Sequence, residues 1–372
     1  MARWRIVVHA LDRTGPPVLA RTFVRWMRRH HPDDIVDVVA VRGGNLVDDM
    51  VREVPTRVLL RPSEAWDVVD LDPVRVGELT ARLSGDPRPD ATLLVSVSAA
   101  QALPLMEDPG AVVTWSVEQG EDLHWIDQPL GLSERTTRWL AGSDATRREL
   151  TQLLPDVDIG LAPEFVEDSA AVDPELVQRC RTALGAAPDE LLVLGAGIAT
   201  PRKAPDLFLE VALAHRRSAR GMARFVWIGG EHDVLHWPVR DEAQRLHLDH
   251  FHTMESVGDL TPWLAAADVF LHTARLDAFP LVCLHASLAG TPVVCFSGTG
   301  GTEEMFADDL LGAPYPDVAG LARAVADLGD LQRRADTVRR QSARIRAEHT
   351  ADAAAPALLR ELVAAAGSVG DA

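Results

Sequence analysis

One lysine, Lys203, stands against 36 arginines in 372 residues, and the three cysteines, Cys180, Cys283 and Cys295, occur singly and far apart. Three scattered thiols cannot build a disulfide framework, and no CxxC or Cys/His pair offers zinc a ligand set. The expected compartment is the reducing cytoplasm. No apolar run approaches the roughly 20 residues that a bilayer span needs, which excludes a membrane-spanning chain. The opening run, Arg5 to Leu11, carries a histidine and lacks the apolar stretch and small-residue cleavage site of a secretory signal, so export is not expected. Positive charge is also scarce. With 37 basic and 55 acidic side chains the net charge is −18, which repels polyanions and argues against general nucleic-acid binding.

What is present is globular in character, with 47% hydrophobic and 25% charged residues. The length exceeds what one hydrophobic core usually supports and predicts two domains with a cleft between them. Short Val/Ile/Leu runs alternate with amphipathic stretches from the start. Arg5 to Leu11 is followed by a helix near Val18 to His30. Ile35 to Val41, Arg57 to Leu60, Thr92 to Val97, Ala111 to Val117 and Trp139 to Ser143 then read as strands. Continuous apolar runs separated by helices signify a parallel sheet covered on both faces.

The pattern pauses at Leu161 to Pro174 and restarts. Leu191 to Leu194, Phe225 to Ile228, His250 to Met254, Val269 to His272 and Val293 to Phe296 form a second strand set. The expected division is an N-terminal domain over 1–167, a C-terminal domain over 168–350 and a terminal helix and tail over 351–372. The Ala- and Arg-rich end, helical from Leu331 to Ala366 and broken near Pro356, is long enough to cross back onto the first half.

The densest segment for chemistry is Asp268 to Glu304. A strand ends at a loop containing Asp277, a helix begins about Pro280, and a Gly turn leads into a buried strand. Such a βαβ unit puts the amides of 278–281 at a helix N-terminus, where unpaired N–H groups attract an anion. An ordinary crossover without a ligand is the alternative that spacing alone leaves open.

Asp277, Phe279, Pro280, Leu281, Val282, Ala286, Gly290-Thr291-Pro292-Val293-Val294, Gly300-Gly301 and Glu303 together resemble the donor site of the retaining glycosyltransferases of family 4, which have the GT-B fold. Leu194 to Ala212 resembles the segment in which that family carries a phosphate-binding lysine, and Lys203 occupies its position. Val7 to Met27, with Gly15, resembles the family's opening strand, loop and helix. Val113 to Leu123, with Glu118, resembles its acceptor-side strand end.

The resemblance implies an α/β GT-B fold, two Rossmann-like domains facing each other across a cleft with a C-terminal helix crossing back. It also implies transfer of a sugar from a nucleoside-diphosphate donor to a hydroxyl of a carbohydrate, lipid-linked or small-molecule acceptor, with retention. Breaking the anomeric bond builds negative charge on the β-phosphate and positive charge on the sugar. Lys203 and Arg202 would meet the first and Asp277 would hold sugar hydroxyls, with Glu118 orienting the acceptor or acting as a base. Gly15, Met254, Glu255, Phe279, Pro280, Leu281 and His285 would line the donor site. No metal and no further cofactor is then required.

Two departures from the family pattern stand out. The second acidic position, which accepts from ribose hydroxyls, holds His285, whose neutral ring accepts at one nitrogen and donates at the other. The Gly-Arg pair before the lysine is absent. A non-catalytic relative that binds a nucleotide sugar or glycan is therefore the second reading. A dinucleotide-binding oxidoreductase is the third: Gly195-Ala196-Gly197 follows a strand, but Thr200 holds the third glycine position and no acid closes a second strand about 20 residues later, the nearest being Glu231. Two Asp-x-Asp pairs, Asp70/Asp72 and Asp156/Asp158, read as solvated turns, and the histidines from His232 to His252 lack metal-ligand spacing. Arg21, Arg25, Arg28 and Arg29 share one face of the first helix beside Phe23, Trp26 and Met27. They suggest peripheral contact with an anionic membrane or a phosphorylated acceptor, or else a solvated face.

Overall fold

A computed structural model describes residues 1–61, 64, 67–168, 171–187, 189–218, 221–229 and 239–370. Glu231, His232 and His236 lie outside the described residues. The chain forms two compact units, Met1–Glu167 with Thr350–Ala372, and Asp168–His349.

The first unit opens with β1 (Arg3–Ala10), α1 (Gly15–His30), β2 (Ile35–Arg42), α2 (Val47–Glu53) and β3 (Thr56–Leu60). It continues with α3 (Pro73–Ser84), β4 (Ala91–Val95), β5 (Ala111–Ser116), α4 (Leu132–Arg135), β6 (Thr136–Ala141), α5 (Asp144–Leu153) and β7 (Ile159–Leu161). Its seven strands are parallel in the order β3-β2-β1-β4-β5-β6-β7. Every residue of β4 and β5 is buried, as expected where helices cover both faces.

Helix α1 turns Phe23, Val24, Trp26 and Met27 into the core, so the aromatic face that the sequence offered to a surface is internal. Its guanidiniums are also engaged. Arg28 meets Glu53 at 2.8 Å and Arg21 meets it at 3.5 Å, while Arg25 and Arg29 reach Glu167 at 2.5 and 3.1 Å. Asp72 of the first Asp-x-Asp pair caps α3 by accepting from the Val74 and Arg75 N–H groups, and Asp158 of the second pairs with Arg138 at 2.6 Å.

The second unit runs through α6 (Pro174–Ala183), β8 (Leu191–Ala196), α7 (Pro205–Ser218), β9 (Ala223–Ile228), α8 (Val239–Arg245), β10 (Phe251–Met254) and α9 (Thr261–Ala266). Then come β11 (Val269–His272), α10 (Leu281–Leu288), β12 (Val293–Ser297), α11 (Thr302–Phe306), β13 (Gly312–Pro314), α12 (Val318–Asp327) and α13 (Leu331–Glu348). The six-stranded parallel order is β10-β9-β8-β11-β12-β13. Strand order reverses between β8 and β11, and a doubly wound sheet opens a crevice at the carboxyl ends of its strands at such a point. Gly195 serves packing here: a Cβ would stand 2.8 Å from the Phe208 and Trp227 rings.

The terminal helix α14 (Ala351–Gly370) belongs to the first unit, where it packs on β5 and α1. The break in the Ala-rich end falls at His349–Thr350 and not at Pro356, which lies inside α14. The chain must leave one helix there because Thr350 bridges to Val166 and Ala351 N–H donates to the Val166 carbonyl at 2.8 Å. Pro356 is carried within α14 without ending the helix.

The switch point depends on close backbone approach. Gly229, at the end of β9, has φ +146°, and a Cβ there would lie within van der Waals overlap of the Gly197 carbonyl. Gly229→Ala is expected to lower stability by about 2–4 kcal/mol, read as a fall in thermal midpoint; an unchanged midpoint would contradict this packing.

Candidate active site

Lys203 lies in the turn between β8 and α7. Ala204 at φ +56° reverses the chain, Ala204 N–H returns to the Thr200 carbonyl at 3.0 Å, and Arg275 N–H donates to the Arg202 carbonyl at 2.8 Å. Thr273 Oγ1 donates to the Ala204 carbonyl at 3.0 Å. Arg275 then locks both segments, donating to Asp206 Oδ1 and Oδ2 at 2.9 and 2.5 Å and to the Pro201 carbonyl at 2.7 Å. The turn bearing Lys203 and the loop after β11 are thereby one rigid piece.

That clamp brings Lys203 Nζ to 2.5 Å from Asp277 Oδ2, with side-chain exposures of 20% and 10%. Arg202 Nη1 lies 3.9 Å from Asp277 Oδ1 and is nearly half exposed. His272, buried at the end of β11, places Nε2 3.4 Å from Asp277 Oδ2. Burial alone would raise the Asp277 carboxyl. The Lys203 ammonium overcomes it, with His272 and Arg202 adding to the effect, and holds the group well below the usual carboxylate range. Burial lowers His272 despite the facing carboxylate, which favours its neutral form.

Asp277 is fixed through its backbone as well. Its N–H donates to the Thr299 carbonyl at 2.8 Å, and its carbonyl accepts from Gly301 N–H at 3.1 Å. Gly301 has no room for a side chain, since a Cβ would stand 2.2 Å from the Ala278 carbonyl and 2.7 Å from the Phe279 ring. Phe279, itself buried, packs its ring at a tilt against His349, with centroids 5.0 Å apart. These contacts hold Pro280 as the extended residue before α10, whose first turn has neither a side-chain cap nor an acidic residue. A helix start of this kind favours an anion.

Lys203, Arg202, Asp277, Phe279, Pro280 and Leu281 are thus gathered around one switch point. His285, one turn further along α10, is half-buried, and burial pushes its imidazole down to about 4, leaving it neutral at pH 7. Met254 and Glu255 stand two strands away: the Met254 carbonyl accepts from Gly229 N–H at 3.0 Å, and Glu255 is exposed. His272 carried no sign of a role in the sequence beyond ending a strand.

In the first unit, Gly15 opens α1 and a Cβ there would meet no protein atom, so packing does not demand glycine. Glu118 follows β5 and accepts from the Val117 and Val97 N–H groups at 3.1 and 3.3 Å. Burial outweighs those donors and pushes its carboxyl up to about 7, a value at which it can exchange a proton near neutrality.

The two carboxyls set opposite pH dependences. Asp277, lowered in the folded state, contributes stability above the unfolded value near 4 and loses it as pH falls. Lys203→Met should cost about 1–3 kcal/mol at pH 7 and much less at pH 3, read from thermal midpoints; an equal deficit at both would show that the pair carries none of it. Glu118, raised, penalises folding as pH climbs from about 4.5 to 7. Glu118→Gln should therefore gain about 1–3 kcal/mol at pH 8 and nothing at pH 4, and a pH-independent difference would sink that assignment.

Residues 188–330 match the family Glycosyl transferases group 1. The D-inositol 3-phosphate glycosyltransferase of Jonesia denitrificans is 29% identical over 259 residues, 64% of this chain and 60% of that protein. The Saccharomonospora viridis protein of the same name is 32% identical over 157 residues, 39% of this chain and 36% of the relative. The chain therefore spans about a third to three-fifths of these relatives' length. Among solved structures, Anabaena HepE in complex with UDP and glucose superposes with a TM-score of 0.77 at 14% identity, covering 98% of this chain and 100% of that one. Sucrose-phosphate synthase from Thermosynechococcus elongatus gives 0.77 at 17% identity over the same shares. Residues 188–330 thus carry the pattern of the Glycosyl transferases group 1 family, and nearly the whole chain has the GT-B fold.

Proposed function

We propose that the protein is a retaining glycosyltransferase that moves a sugar from a nucleoside-diphosphate donor to an acceptor hydroxyl. The observation that carries this reading is Lys203 Nζ, clamped beside Asp277 at the carboxyl end of β8 and close in the fold to the uncapped start of α10. A leaving diphosphate gains charge as the anomeric bond breaks. An ammonium, the Arg202 guanidinium and helix-start amides aimed at that charge stabilise the transition state more than the ground state. Asp277, ionised across the neutral range, accepts from sugar hydroxyls and fixes the ring.

These groups supply the positive field without a metal. UDP is the first donor nucleotide to test because the structural neighbour HepE was crystallised with UDP and with UDP-glucose. Glu118, whose carboxyl burial raises to about 7, is assigned proton exchange with the acceptor hydroxyl.

His285 at the ribose position favours a second reading, a relative that binds the nucleotide sugar without turning it over. Donor turnover separates the two.

In a thermal-shift panel of UDP, GDP, ADP, dTDP and NAD, one nucleoside diphosphate should raise stability by about 2.7 kcal/mol at a hundred times its dissociation constant. Lys203→Ala and Asp277→Ala should each reduce donor turnover at least about a hundredfold. Stabilisation by NAD alone, or undiminished turnover in either variant, would overturn the proposal.

A further inference from the structure

His272 is 4% exposed, and its Nε2 faces the Asp277 oxygen that Lys203 already occupies. Among the described residues that nitrogen completes no hydrogen bond. A polar atom so deeply buried is seldom left idle in a folded protein. Here it points at a carboxylate and stops just beyond bonding distance. The neutral ring can give one N–H without adding charge to the cluster.

The ammonium of Lys203 has competing claims on it if a diphosphate enters. Donation to phosphate oxygens draws Nζ from Asp277, whose other cation, Arg202, stands 3.9 Å away. A buried carboxylate abandoned in this way would resist the exchange. We propose that His272 is a positioning residue: when Lys203 engages the donor diphosphate, His272 Nε2–H takes over Asp277 Oδ2 and keeps the carboxylate aimed at the sugar. The step asks for a closure from 3.4 Å to about 2.9 Å, the ordinary length of such a bond. Thr273, pinned to Ala204, holds the strand end while this happens. The inference rests on the diphosphate-binding reading above.

The test is the affinity of UDP and of uridine for the unaltered protein, His272→Leu and His272→Gln, by calorimetry and NMR titration. The leucine variant should bind UDP at least about tenfold more weakly, and glutamine, which restores an N–H at the same reach, should return it to within about threefold. Uridine, which lacks the diphosphate, should bind all three alike. Equal UDP affinity in the leucine variant, or a parallel loss for uridine, overturns the role of His272. Failure of the unaltered protein to bind any nucleoside diphosphate overturns the underlying function instead. A measurement without substitution guards against a variant that does not fold: the 15N-edited His272 Nε2–H resonance should move downfield on UDP addition, and an unmoved signal counts against the takeover.

Discussion

The ion pair between Lys203 and Asp277 is the constraint on which the second unit's chemistry rests. Neither partner would be tolerated alone at this depth: burial opposes the carboxylate's charge, and the ammonium reverses that opposition. The pair exists because two loops at the sheet's switch point are tied together by Arg275, Asp206 and Thr273. Rigidity matters because a cation that stabilises developing charge is useful only when already in place. Lysine suits the position as a compact ammonium on a flexible stem, able to serve a carboxylate and a phosphate in turn. Arginine's broad planar fork would not do this as readily.

The glycines on either side of the pair follow the same logic. Gly229 lets two strand ends approach to backbone contact at Gly197, while Gly301 lets the turn after β12 lie against Ala278 and Phe279. Each removes a side chain where the fold needs backbone near backbone, leaving N–H groups and a cation to define the site. His285 is a neutral group on the apolar helix α10.

Much of this was legible in the sequence. The Val/Ile/Leu runs marked nearly every long strand, since a strand buried on both faces has no polar alternation to obscure it. Lys203 announced itself by being the sole lysine among arginines, and Asp277 by its place between a strand and a helix start. The short strands β7 and β13 were missed because three residues carry no period. The break at His349 was misplaced to Pro356 because the pairing of Thr350 with Val166 joins residues 184 apart. The partners of the α1 arginines were hidden because Glu53 and Glu167 meet them only in the folded unit. His272 was invisible for a similar reason: its meaning lies in one interatomic distance, which no spacing rule encodes.

The central claim is that Lys203 receives a diphosphate, and 31P NMR of UDP in the presence of the protein tests it most directly. The account predicts that the β-phosphorus resonance shifts on binding and that Lys203→Ala abolishes the shift while the fold persists. A resonance untouched by the unaltered protein, or one that moves equally with the variant, would contradict it.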